Sequence, residues 1–165
     1  MVTLRAFSMD DIPQLVSILN DSDVTRYLST KIPMPYTEID AKWWVEEGSQ
    51  QGLVRALVVN NKCVGCIGVM PGEFEYSRSG EIGYWLAKSA WRQGFMAEAI
   101  EQLCCEVFDT TDIVRIHAAV FSGNVASMRL LEKCGFSQEA VLKRAIVKAD
   151  VFYDKFVYAL LKNDG

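Results

Sequence analysis

The sequence predicts an α/β (α+β) domain organised around a central sheet, and three observations carry that prediction. Short runs rich in β-branched and small apolar residues (LVRALVVN, KCVGCIGV, GEIGYWLA, IVRIHAAV) are interleaved with longer segments whose apolar residues recur every three or four positions. Turn-forming pairs, Asn60-Asn61 and Pro71-Gly72, separate neighbouring runs. The chain has 165 residues, half of them apolar, with no repeat, low-complexity tract or linker. That length suits one domain of about 100–200 residues, so residues 1–165 are read as a single domain.

The elements follow in order. VTLRAF reads as a strand, and Ser8 precedes a helix with Ile12, Leu15, Val16 and Leu19 on one face. A polar stretch with a short helix ends in KIPMPY, whose prolines remove backbone donors and favour an extended surface segment. Thr37 and Asp40 have the spacing of a capping box for a helix through Trp43 and Trp44, with Gly48 as its stop. LVRALVVN and KCVGCIGV form a hairpin about Asn60-Asn61, because Asn tolerates positive φ. GEIGYWLA is the next strand. In WRQGFMAEAIEQLCCEVF, Phe95, Ala99, Leu103 and Val107 recur at helical spacing. IVRIHAAV is a strand, NVASMRLLEKC a helix, and two strand-like stretches from Phe136 to Leu161 complete the chain.

Charge and composition exclude several functions. Lys plus Arg number 17 against 21 Asp plus Glu, a net charge of −4, which argues against nucleic acid as a partner. A cationic amine suits that sign better. No run of about 18 apolar residues exists, and MVTLRAFSMDD lacks a basic flank leading into an apolar stretch, so neither a membrane span nor a secretory signal is expected. The five cysteines are odd in number and scattered, pointing to reduced thiols and a cytoplasmic setting. Cys63 and Cys66 form a CxxC without a second pair, so they read as core residues and no metal is expected.

The most informative segment is GEIGYWLAKSAWRQGFMAEA, a strand running into a loop and then a helix with Gly94 at its first turn. Free N–H groups at a helix start, reinforced by the helix dipole, bind anions, and a glycine there lets a phosphate approach closely. The same segment also fits a tight strand-to-helix connection in which Gly94 serves packing alone. The junction carries neither GxGxxG nor GxxxxGK[ST], which counts against a dinucleotide or NTP fold.

WRQGFMA resembles the [RQ]xxGx[GA] acetyl-CoA pyrophosphate motif of the GNAT N-acetyltransferase superfamily, with Trp91 in place of Arg or Gln and Met96 in place of the second small residue. NVASMRLLEKCGF resembles that superfamily's second signature helix. Together with EIGYWL and the early IPMPYT…AKWW, these motifs look most like the Rim-type branch, which acetylates ribosomal-protein N-termini. The resemblance implies a mixed, mostly antiparallel sheet splayed between two parallel central strands, with helices on both faces. It implies that N–H groups of Arg92, Gln93, Gly94, Phe95, Met96 and Ala97 hold the pyrophosphate of acetyl-CoA. Backbone atoms of Trp85, Leu86 and Ala87 would pair with the pantetheine arm like an added strand.

The resemblance also implies acetyl transfer to a primary amine, and this requires a neutral amine and a stabilised leaving thiolate. A protein α-amine is about one-tenth neutral at pH 7, whereas a Lys amine is neutral only about once in a few thousand, so a base matters less for an N-terminus. Glu81 is the candidate base, directly or through water; Ile146 stands where many Rim-type members carry another Glu. Leu131 occupies the position of the Tyr acid of many GNAT enzymes, and Ser127 corresponds to the Rim-type Ser that donates to the thiolate. Asn124 is a candidate to contact the pantetheine or to position the substrate, and equally a helix N-cap. His117, on the strand face of Arg115 and Ala119, has no evident triad partner. Tyr36, Trp43, Trp44 and Trp85 are candidates for an aromatic wall beside the acceptor, with core packing expected for at least two. Cys134 lies near a signature but lacks a base that would make it a nucleophile.

The expected acceptor is a protein N-terminus, with a polyamine or aminoglycoside as the alternative, in a ternary complex of a monomer or homodimer. A catalytically degenerate acetyl-CoA-binding module and a nucleotide-binding domain are the competing classes.

Overall fold

The computed structural model describes residues 1–163. Its strands are β1 (Thr3–Arg5), β2 (Leu53–Val59), β3 (Lys62–Pro71), β4 (Ser79–Leu86), β5 (Arg115–Phe121), β6 (Ser137–Lys148) and β7 (Val151–Leu161), and its helices α1 (Ile12–Leu19), α2 (Ser22–Thr25), α3 (Glu38–Glu46), α4 (Phe95–Thr110) and α5 (Val125–Lys133). The strands form one sheet in the order β1-β2-β3-β4-β5-β7-β6. Every neighbouring pair is antiparallel except β4 and β5.

Both faces are covered, as expected. Leu57, Ile67, Val69, Ile82, Ile116, Ala118, Val120 and Tyr158 pack against Met96, Ala99, Ile100, Leu103 and Val107 of α4 and Leu131 of α5. On the opposite face, Val54, Ala56, Val58, Cys63 and Cys66 pack against Leu15 and Leu19 of α1 and Ala41 and Val45 of α3. Burying each Leu or Val side chain contributes about 1.5–3 kcal/mol, so the alternation of β2 and the four-residue repeat of α4 suffice to set which face each element presents.

Local signals act where the residues place them. Asn60 and Asn61 adopt φ 50° and 64° in the β2–β3 turn. Thr37 Oγ1 accepts from the Asp40 N–H at 3.2 Å while Asp40 Oδ2 accepts from the Thr37 N–H at 2.8 Å, closing the capping box of α3. Two boundaries differ from expectation. VTLRAF pairs as a strand only over Thr3–Arg5, after which Ser8 and Asp11 cap a 3-10 turn at Met9–Asp11 before α1 begins. The helix read with Gly94 in its first turn starts at Phe95 and has Gly94 as its N-cap, because Arg92 at φ 60° and Gly94 at φ 80° take the backbone out of the helical path.

Candidate active site

β4 and β5 pair over only three positions, Ser79 with Arg115, Gly80 with Ile116 and Glu81 with His117. Beyond Glu81 the strands part. β4 remains paired to β3 as far as Leu86, and β5 remains paired to β7 as far as Phe121. The result is a wedge-shaped gap in the middle of the sheet whose two edges are ordered strands.

Strand alternation determines what the β4 edge presents. The Ala87 N–H donates to the Val64 carbonyl at 2.7 Å, so Ala87 and, two residues back, Trp85 direct their backbone groups toward β3. Tyr84 and Leu86 therefore face the gap. The Leu86 carbonyl already accepts from Trp91 Nε1 at 2.8 Å, which leaves the Tyr84 amide groups and the Leu86 N–H for a ligand. Of the predicted set Trp85, Leu86 and Ala87, the Leu86 N–H is the backbone group available in the gap.

At the mouth of the gap lies the start of α4. Among the described residues, no acceptor is recorded for the N–H groups of Arg92, Gln93, Gly94, Phe95, Met96 and Ala97; the first helical bond runs from the Glu98 N–H to the Gly94 carbonyl at 3.2 Å. Left-handed residues alternating with others turn successive N–H groups into one concavity, the geometry of an anion-binding nest. Arg92 holds φ 60° without being glycine, a local strain of about 1–3 kcal/mol of the kind concentrated at functional sites. A Cβ added to Gly94 would meet no atom within 4 Å, so the space above this nest is open. These residues fit a pyrophosphate held by backbone dipoles.

The two faces of the gap differ chemically. On the α4–α5 side, Tyr84 reaches across to the first turn of α5, where its hydroxyl and Ser127 Oγ lie 2.5 Å apart. Burial pushes the Tyr84 phenol up to about 12, with the Ser127 hydrogen bond acting the other way. Asn124 is the N-cap of α5, its side-chain oxygen accepting from the Ser127 N–H at 3.4 Å.

On the opposite face, Glu81 and Gly83 of β4 and Ala119 of β5 are exposed, with half-buried His117 beside Glu81. Burial holds His117 below its ordinary value; Glu81 and Glu139 act to raise it, Arg115 and Lys155 to lower it. Arg115 itself is engaged by Glu139 in a two-pronged ion pair at 2.6 and 2.7 Å.

Core packing, expected for at least two of the four wall candidates, takes three of them. Tyr36 is buried in the second core, and Trp44 and Trp85 pack against it; Trp43 is the exposed member of the predicted wall. Instead Tyr27, Phe121 and Tyr153 form a mutually contacting cluster with centroids 5.3–6.3 Å apart. The segment carrying Tyr27 is tied down on both sides. Lys88, after β4, pairs with Asp23 at 2.6 Å, and Lys148, at the end of β6, donates to the Thr25 and Leu28 carbonyls at 2.6 and 2.8 Å. A cleft of about 270 Å³ lies along this tie, lined by Thr25, Ile32, Met34 and Lys148. A larger cleft, about 400 Å³ beside Arg5, Asp11 and Lys62, sits at the β1 edge far from the gap.

The family model of the GNAT acetyltransferase domain matches residues 1–137. The chain belongs to the GNAT family. The uncharacterized N-acetyltransferase YoaA of Bacillus subtilis (strain 168) is 30 % identical over 167 residues, spanning 96 % of this chain and 92 % of its own length. Among solved structures, RimL, a ribosomal L7/L12 alpha-N-protein acetyltransferase in complex with coenzyme A, superposes with a TM-score of 0.86 at 21 % identity over 98 % of this chain and 94 % of its own. MccE, a microcin C7 self-immunity acetyltransferase in complex with acetyl-CoA and AMP, gives 0.85 at 21 % over 97 % and 92 %. Those two likenesses show a shared fold. The chain is accordingly a GNAT N-acetyltransferase.

Proposed function

We propose that this GNAT enzyme transfers the acetyl group of acetyl-CoA to a protein N-terminus by direct attack in a ternary complex. The observation that carries the reading is the coincidence of the gap beyond Glu81–His117 with the run of free N–H groups from Arg92 to Ala97. The nest takes the pyrophosphate, and the Tyr84 and Leu86 backbone takes the pantetheine arm as an added strand. The thioester then lies between two faces, with the amine entering past Glu81, Gly83 and Ala119 and the sulfur facing Ser127.

Each residue has a distinct task. The nitrogen lone pair forms the C–N bond, the C–S bond breaks, and its electron pair stays on sulfur. Glu81 accepts the surplus proton of the amine, directly or through water, and Ser127 donates a hydrogen bond to the leaving thiolate. Asn124 acts through its cap, which fixes the first turn of α5 and hence the place of Ser127. An α-amine, already about one-tenth neutral at pH 7, suits a site whose base is an exposed carboxylate. The name of RimL, a protein N-terminal acetyltransferase, supports the same acceptor class.

The test is a thiol-release assay with acetyl-CoA and two acceptors, a ribosomal-protein N-terminal peptide and spermidine. The peptide is expected to show the larger kcat/KM, with Glu81→Gln lowering kcat at neutral pH. A larger specificity constant for spermidine overturns the acceptor assignment. A thermal response to ATP or NAD without one to acetyl-CoA overturns the donor site.

A further inference from the structure

The Tyr84–Ser127 contact is the recorded side-chain hydrogen bond that crosses the gap, joining β4 three residues past its last pairing with β5 to the first turn of α5. Two hydroxyls at 2.5 Å share one hydrogen bond but own two protons, so one O–H remains to be donated elsewhere. Among the described residues neither oxygen has another recorded partner. Which proton is left over follows from the surroundings. Tyr84 packs against the main apolar core, where an unpaired phenolic proton would be stranded; Ser127 sits at the gap. The phenol is also the better donor, being far more acidic than an alcohol.

We propose that Tyr84 is a positioning residue for acetyl transfer, its phenol donating to Ser127 Oγ and so directing the Ser127 proton into the gap toward the leaving sulfur. This rests on the acetyl-CoA reading of the gap and adds a residue to it. Held at about 12 by burial, the phenol stays protonated throughout the working range and never competes as an anion. Tyr84 acts through Ser127 and supplies no proton of its own to the thiolate. The pair therefore stabilises the thiolate by hydrogen bonding, with no proton leaving Tyr84, while the amine's proton departs on the Glu81 side.

The test measures the thiol of bound CoA directly, through the ultraviolet absorbance of its thiolate. In the wild type the bound thiol is expected to titrate below that of free CoA; Ser127→Ala raises that midpoint, and Tyr84→Phe raises it by at least half as much. In turnover, each single substitution lowers kcat about tenfold with the KM for acetyl-CoA within about twofold, the loss of one hydrogen bond to a charged group. Because Tyr84 acts only through Ser127, the double variant falls no further than about tenfold, where independent residues would give about a hundredfold. A fluorotyrosine at position 84 keeps the ring's fit, strengthens the donor and shifts the thiol midpoint the opposite way. Unchanged thiol titration in Tyr84→Phe with CoA still bound, or a multiplicative loss in the double variant, overturns the proposal. Failure of the wild type to bind CoA in calorimetry would instead overturn the donor reading on which it rests.

Discussion

Gly94 and Gly83 separate the two sides of the proposed reaction. A Cβ added at either meets nothing within 4 Å, so neither alanine variant clashes with the protein itself. Their backbones differ: Gly94 holds φ 80°, whereas Gly83 lies inside β4 with no positive φ. Gly94→Ala moves an L-residue into the left-handed region, a cost of about 1–2 kcal/mol, partly offset by a stiffer unfolded chain. A net loss of about 1 kcal/mol lowers Tm by about 2–4 °C in a chain of this size. The methyl group projects over the nest, and losing one charge-assisted hydrogen bond of about 1.5–3 kcal/mol raises the KM for acetyl-CoA about tenfold to a hundredfold. Gly83→Ala should instead raise Tm slightly, since Gly in a strand interior is about 0.5–1 kcal/mol worse than Ala. Its methyl group sits on the face of Glu81, so the acceptor KM rises while the KM for acetyl-CoA stays put. Steady-state thiol release with each substrate varied in turn, alongside thermal melts, measures all four quantities. A folded Gly94→Ala enzyme with acetyl-CoA KM within twofold of wild type would refute the placement of the pyrophosphate.

Three further perturbations follow from side-chain surroundings. Asp11, its side chain 4 % exposed, accepts two bonds from Arg5 and one from the Ser8 N–H, all at 2.8 Å, so Asp11→Asn should cost about 3 kcal/mol in urea unfolding. Burial raises the Asp11 carboxyl, but the Arg5 and Ser8 bonds outweigh it and leave it lowered; its stabilisation is full above about pH 3.9 and declines as pH falls through the lower folded value, a decline the Asn variant should lack. His117, also lowered in the fold, favours the native state above about pH 6.5 and loses that advantage as pH drops below it, so His117→Gln should flatten urea midpoints between pH 7 and 5. Lys148→Met removes both bonds to the Thr25 and Leu28 carbonyls, and the acceptor KM should rise severalfold without change in the KM for acetyl-CoA; unchanged kinetics would separate the Lys148 tie from acceptor binding.

Much of this site was legible along the chain because its parts are local. A strand, a loop and Gly94 before a four-residue apolar repeat are consecutive, and nearest-neighbour physics leads to a helix start with free N–H groups. The Asn124 cap and the Thr37–Asp40 box are local too. What escaped depends on contacts between distant segments. Tyr84 looks like any alternating strand residue until α5 is packed 43 positions away against it. The cluster of Tyr27, Phe121 and Tyr153 draws one ring from each of three separate segments, whereas the adjacent tryptophans of α3, conspicuous in the sequence, serve the second core or face solvent. The left-handed Arg92 was hidden for another reason: its side chain carries no signal for that conformation, which the neighbouring turn imposes.

The short seam between β4 and β5 has a mechanical consequence. Strands β1 to β4 form one flank and β5 to β7 another, each antiparallel within itself, and within the sheet three residue pairs of β4 and β5 join them, above the core that α4 shares with both. Any rod-shaped guest lying along the open seam and bonding to its edges acts as a splint between the flanks, so occupancy would stiffen the sheet as a whole. Amide exchange at Tyr84 and Leu86 would then register the splint locally, while a rise in the force or denaturant needed to part the flanks would register it globally.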